Sequence, residues 1–185
     1  LRTEKEKALD TYLAAAARTG DRQALDRLAQ RWHPKLLAHA HRLTGERQLA
    51  ADSTQEAWTD ILRDLPSLDN AAAFPAWAFR IVSRRCARSI RGRQRHRAGQ
   101  AALAREEHHG AETDNAPETQ SELATIGRAI DELPRQQRAV LALFYTEGLR
   151  VAEIAAAMDI APGTVKTRLM HAREKLRARL EGETK

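Results

Sequence analysis

The sequence predicts an all-α fold, built as two small helical domains joined by a flexible acidic linker. Three observations carry that prediction. Alanine and leucine, both strong helix formers, supply most of the apolar content, while β-branched and aromatic runs are nearly absent. Apolar residues recur at helical spacing in two separated blocks. Between the blocks, residues 105–122 ("REEHHGAETDNAPETQSE") carry six acidic residues, one Arg and almost nothing apolar.

Composition narrows the function classes. Charged residues make up 30% of the 185 positions and aromatics 4%, so the core is expected to be Leu, Ala, Ile and Val. A net charge of +6 favours a polyanionic partner, nucleic acid or an anionic surface. No apolar run approaches the roughly 20 residues of a membrane span and no signal-peptide pattern opens the chain, so no membrane insertion and a cytoplasmic location are expected. Cys86 is the only cysteine, which excludes an internal disulfide and any multi-cysteine zinc site. No cofactor is expected.

The first domain is assigned to residues 1–98. A weak amphipathic segment over 9–17 precedes a helix with Leu25, Leu28, Ala29, Trp32 and Leu36 on one face. The next helix carries Ala57, Trp58, Ile61, Leu62 and Leu65, and is broken by Pro66 and the "SLDNAAAFP" loop. Helix resumes near Phe74, with Trp77, Ala78, Ile81 and Ile90 expected on its inner side. From Arg84 to Arg97 this helix carries seven Arg and no acidic residue. Residues 99–121 form the linker, because so acidic a segment buries too little to offset its ordering entropy.

The second domain spans 122–185. Periodicity returns at Leu123, Ile126, Ile130 and Leu133, and a helix follows between Pro134 and Gly148. A short helix from Val151 to Met158 then meets a tight turn, and another helix starts around Pro162. Val151, Ile154, Ala155, Ile160, Val165, Leu169, Ala172 and Leu176 face inward, with the small Ala155 at the crossing. That is a helix-turn-helix, with Asp159 where such turns often place Gly. The opposite face shows Thr164, Lys166, Thr167, Met170, His171 and Arg173. Residues near its N-terminus can reach base edges, and Arg173, Lys175 and Arg177 can meet phosphates.

With these motifs in order, the chain from about residue 20 to 180 resembles a bacterial RNA polymerase sigma factor of the extracytoplasmic-function (ECF) branch. "ADSTQEAW" is similar to the family's region 2.2 and "FPAWAFRIVSRRCARSIRGRQR" to regions 2.3 and 2.4. "LPRQQRAVLALFYTEGLRVAEIAAAMDIAPGTVKTRLMHAREKL" is similar to region 4. The resemblance implies partners: core RNA polymerase, through its β′ clamp helices and β flap, promoter DNA and an anti-sigma factor. It implies that Asp52, Gln55 and Glu56 meet the clamp. It places Asn70 in a base pocket at the −10 element, Trp77, Arg80, Arg84 and Arg88 along the unpaired strand, and Arg91, Arg93 and Arg95 on phosphates. Thr164, Lys166, Thr167, Met170, His171, Arg173 and Lys175 are implied at the −35 element. Promoter opening would proceed without ATP, and no catalytic residue is implied. The family's usual "DLVQE" is "DSTQE" here, and Arg84 and Arg88 replace a common Asn and Asp.

Two other readings are open. A stand-alone helix-turn-helix regulator shares the second domain, although such proteins usually dimerise to read two half-sites. A metal-dependent hydrolase is suggested by His39, His41, His108 and His109, but two residues two apart on a helix diverge by about 200°.

Overall fold

The computed structural model describes residues 2–101 and 122–182, and every regular element among them is helical. In chain order these are α1 (Glu4–Arg18), α2 (Arg22–Thr44), α3 (Arg47–Asp64), 3-10 turns at Leu65–Ser67 and Ala71–Ala73, α4 (Phe74–Ala101), α5 (Glu122–Asp131), α6 (Arg135–Tyr145), α7 (Val151–Met158) and α8 (Pro162–Gly182). Most of the expected linker, residues 102–121, lies outside the described residues.

Helix ends follow local chemistry. Thr3 and Glu6 close α1 reciprocally: the Thr3 amide donates to the Glu6 carboxylate at 2.7 Å and the Glu6 amide donates to Thr3 Oγ1 at 3.3 Å. Asp21 caps α2 by accepting from the Ala24 amide at 3.0 Å, and Gly45 ends it in the left-handed region at φ 71°. Pro66 sits in the 3-10 turn that stops α3.

In the first block α2 packs against α1, α3 and α4. Trp32 is fully buried at its centre, edge-on to Phe74 at 5.3 Å and to Phe79 at 5.7 Å. In the second block α8 packs on α5, α6 and α7. The two blocks also touch each other, α2 against α6 and α4 against α7, and their buried apolar residues form one continuous cluster.

One expectation about α4 needs correction. Its core face is Phe74, Ala78, Phe79, Val82 and Cys86, whereas Trp77, Ile81 and Ile90 are only half-buried at the edge. The stripe through Trp77 and Ile81 runs on into Arg84, Arg85 and Arg88. The neighbouring stripe runs on into Ser89 without meeting a charge, so it is the one that can be buried along its length.

His39 is buried in this core with Nε2 2.9 Å from Ser83 Oγ, while Nδ1 has no partner. The neutral tautomer with Nε2–H donating leaves only a bare acceptor, which costs less than a stranded N–H. Burial pushes the ring down to about 3, with Arg42 adding in the same direction. Its folded value therefore lies below its unfolded value near 6.5. The stabilisation is complete above that unfolded value and is lost as pH falls below it toward 3. Between pH 7 and pH 5, His39 should cost the fold about 2 kcal/mol. Denaturant unfolding at both pH values checks this. His39→Leu should lose less stability than wild type over the interval, and equal losses would contradict the assignment.

Burial also pushes the Cys86 thiol up to about 11, so the only cysteine is a core residue without thiolate chemistry at neutral pH. Among the described residues no helix is long and apolar enough to cross a membrane.

Candidate nucleic-acid and polymerase interfaces

The loop before α4 is built to present a short turn. Asn70 Oδ1 accepts from the Ala72 amide at 2.9 Å and so starts the second 3-10 turn, while the Asn70 residue stays exposed. Arg18 of α1 donates to the Asp69 carbonyl at 3.0 Å and ties the loop to the bundle. Trp77 follows one turn into α4, half-buried, its ring 6.0 Å from that of Phe74. Phe74 and Phe79 are buried and have no face to offer a base.

Along α4 the arginines differ in what they meet. Arg88, Arg91 and Arg95 are exposed and line a shallow groove with Gln94. Arg93 is paired with Glu46 at the start of α3. Arg80 and Arg84 face the helix-turn-helix, at 3.8 and 3.7 Å from the two carboxylate oxygens of Asp159. Arg85, which carried no expected role, bridges to α3 through Asp60 at 2.5 Å and Glu56 at 3.1 Å. That bridge could be suspected from Glu56 and Asp60 lying one helical turn apart.

The acidic patch on α3 is exposed at Asp52, Gln55 and Glu56. Gln48 donates to Asp52 at 2.9 Å, and Glu56 shares Arg85 with Asp60. Ser53 and Thr54, where the sequence departs from "DLVQE", point away from this patch and are buried. Ser53 Oγ donates to Ser89 Oγ at 3.2 Å, and Thr54 Oγ1 donates to the Ala50 carbonyl at 2.7 Å. Both hydroxyls are satisfied inside the bundle, so this departure alters core packing and leaves the exposed acids in place.

In the second block, Asp159 ends α7 with φ 54° and ψ 48°, its amide donating to the Ala155 carbonyl. Asp tolerates this left-handed turn because its short polar side chain fits there. Ile154, Ala155, Val165, Leu169 and Ala172 are buried between α7 and α8 and the rest of the block. Thr164, Lys166, Thr167, Met170, His171, Arg173 and Lys175 are all exposed on α8. Arg173 is held against α6: its Nε donates to the Tyr145 hydroxyl at 3.0 Å, and its guanidinium lies 5.6 Å from the Phe144 and Tyr145 rings. The expected site residues thus form an α3 acid patch, an α4 basic face and an α8 outer face. His39 and His41 do not converge, one being buried and the other exposed, and no described His, Cys, Asp and Glu residues cluster as a metal site.

Comparison with known proteins matches two stretches of the chain to family models. Residues 28–96 match the family "Sigma-70 region 2" and residues 123–176 match "Sigma-70, region 4". The ECF RNA polymerase sigma factor SigM of Mycobacterium tuberculosis is 32% identical over 94% of this chain and 85% of its own length. RNA polymerase sigma-H factor of Pseudomonas aeruginosa is 30% identical over 89% of this chain and 90% of its own. Among solved structures, the sigma factor RpoE of Bartonella quintana, bound to the anti-sigma factor NepR, superposes with a TM-score of 0.65 at 23% identity, covering 85% of this chain and 96% of that one. CnrH, in complex with the cytosolic domain of CnrY, gives 0.60 at 25% identity, covering 94% and 98%. With both regions present in order and relatives matched over nearly their whole length, this chain belongs to the ECF family of RNA polymerase sigma factors.

Proposed function

We propose that this sigma factor docks on the β′ clamp helices of core RNA polymerase through Asp52, Gln55 and Glu56, and on the β flap through its second block. It then reads a −35 element with the outer face of α8 and captures the unpaired strand of a −10 element with the loop at Asn70 and the basic face of α4. The working units are residues 1–98 and 122–185, joined by the linker 99–121. The observation that carries the reading is the pairing, in one chain, of an exposed recognition helix with an exposed arginine face on α4. The family is not a catalytic one, and the chain acts in the cytoplasm, where the polymerase works. By likeness to relatives solved with anti-sigma factors, it is held inactive by such a partner.

Magnitudes explain why the enzyme is required. Each duplex step costs about 1.4 kcal/mol to open, and each base stacked on an aromatic returns about 1–3 kcal/mol. Trp77 and one loop pocket offset two or three steps, not a bubble. The remainder must come from the polymerase.

Run-off transcription on genomic fragments, with and without core polymerase, tests this reading. Wild-type chain should yield discrete transcripts only together with core enzyme, and absence of transcripts would overturn it. Asp52→Arg is the cleaner clamp variant, because Glu56 also holds Arg85. It should fold normally yet bind core polymerase at least about tenfold more weakly, since a like charge at the contact costs more than about 1.4 kcal/mol.

A further inference from the structure

Asn70 is held on both sides of its Cα. On one side its carbonyl accepts from the Ala73 amide at 2.9 Å, and its Oδ1 accepts from the Ala72 amide at 2.9 Å. On the other side the hold comes from a distance. The Asp69 carbonyl belongs to the same planar unit as the Asn70 amide, and Arg18 Nη1 donates to that carbonyl at 3.0 Å. This bond spans 51 positions, whereas the Leu68 amide, at the start of the loop, donates only as far back as the Leu65 carbonyl. The anchor is itself firmly placed. Arg18 is the last residue of α1, and in the turn after it the Thr19 and Gly20 amides donate back to the Ala16 and Ala17 carbonyls. Gly20, at φ 96°, lets the chain reverse into α2. Helix α1 packs against both 3-10 turns, and Leu68 and Ala71 are buried while Asp69 and Asn70 between them are exposed. Arg18 Nε is buried without an acceptor, so the stem is enclosed while its Nη1 end reaches the loop.

We propose that Arg18 is a positioning residue for base selection at the −10 element: by pinning the Asp69–Asn70 peptide it fixes where the Asn70 side chain meets an unpaired base. The proposal rests on the −10 reading of Asn70. Without Arg18 that peptide can rotate, and the side chain that follows it turns with it. A base contact made in one of several loop orientations is weakened by the fraction of time spent in that orientation. Phosphate contacts along α4 do not depend on the orientation of this peptide. Loss of Arg18 therefore lowers discrimination among bases more than it lowers total affinity. A direct phosphate contact by Arg18 would have the opposite signature, because such a contact is blind to sequence and carries salt dependence.

The test uses the full chain bound to core polymerase and a DNA library, duplex upstream and single-stranded through a randomised non-template −10 segment. Bound molecules are sequenced, and total affinity is measured over a range of salt. The wild type should enrich one base at least about fivefold at a position that Asn70→Ala flattens. Arg18→Ala and Arg18→Met, the second keeping the apolar stem, should reduce that enrichment to about twofold at an unchanged salt slope. Arg18→Lys should keep most of the enrichment, since its ammonium can reach the carbonyl and it lacks the stranded Nε–H. Denaturant midpoints are read alongside, and if Arg18→Ala fails to fold, Arg18→Met carries the test. Full enrichment in these two variants overturns the positioning role. So does a slope flattened by about 0.7 unit with enrichment intact, which would put Arg18 on a phosphate. In both cases Asn70→Ala still flattens the preference and the −10 reading stands. No effect of Asn70→Ala overturns that reading and the proposal with it.

Discussion

Trp32→Ala will lower the unfolding free energy by about 3–5 kcal/mol, a large share of the roughly 5–15 kcal/mol available to a domain. The indole is fully buried between the Phe74 and Phe79 rings, with the Arg2 guanidinium 4.9 Å and the Lys35 ammonium 5.0 Å from its centre. Removing it empties the place where α2 meets α4, and helices already packed on several sides cannot close the gap. The indole Nε1–H is buried without an acceptor, so that atom contributes nothing favourable. Trp32→Phe should therefore cost within about 1.5 kcal/mol, because it keeps most of the ring and removes a stranded donor. Urea unfolding of the three proteins checks both numbers. A loss below about 1 kcal/mol for the alanine variant would mean that the core is organised around something else.

The second large effect is on DNA. Changing Arg88, Arg91 and Arg95 together to alanine will flatten the salt dependence of single-strand binding by about two log–log units, at about 0.7 unit per phosphate contact. Between 50 and 200 mM salt the wild type should lose about twentyfold more affinity than the triple variant. These residues are suited to the experiment because they are exposed along one groove of α4. Arg93 is a poorer choice, since its partner Glu46 would be released at the same time. An unchanged slope would remove this groove from the DNA path.

Much of the architecture is legible in the chain because helix punctuation is local. Gly45, Pro66, Gly148 and the Asp159 turn each fix a boundary through the backbone conformation of one or two residues. The face of α4 was harder to read. Apolar residues at 74, 77, 78, 79, 81 and 82 offer two stripes, and only the charges further along decide between them. Helix α1 is weak as a pattern because Asp10 lies on its buried face, neutralised by Arg2 at 2.7 Å and Arg31 at 2.9 Å. A buried acid with distant partners breaks apolar periodicity while remaining part of the core. The contact between the blocks had no local signal. Lys35 and Glu147 are 112 positions apart, and nothing in either neighbourhood announces the other. The same holds for Asp159, whose turn chemistry was readable and whose arginine partners were not.

The central claim is that the basic face of α4 holds separated DNA, and does so as part of the polymerase. Permanganate footprinting of unpaired thymines on a promoter fragment tests it most directly. The account predicts reactive thymines across the −10 element when chain and core enzyme are both present, and none with either alone. An identical pattern with and without the chain, or reactivity produced by the chain in the absence of polymerase, would contradict it.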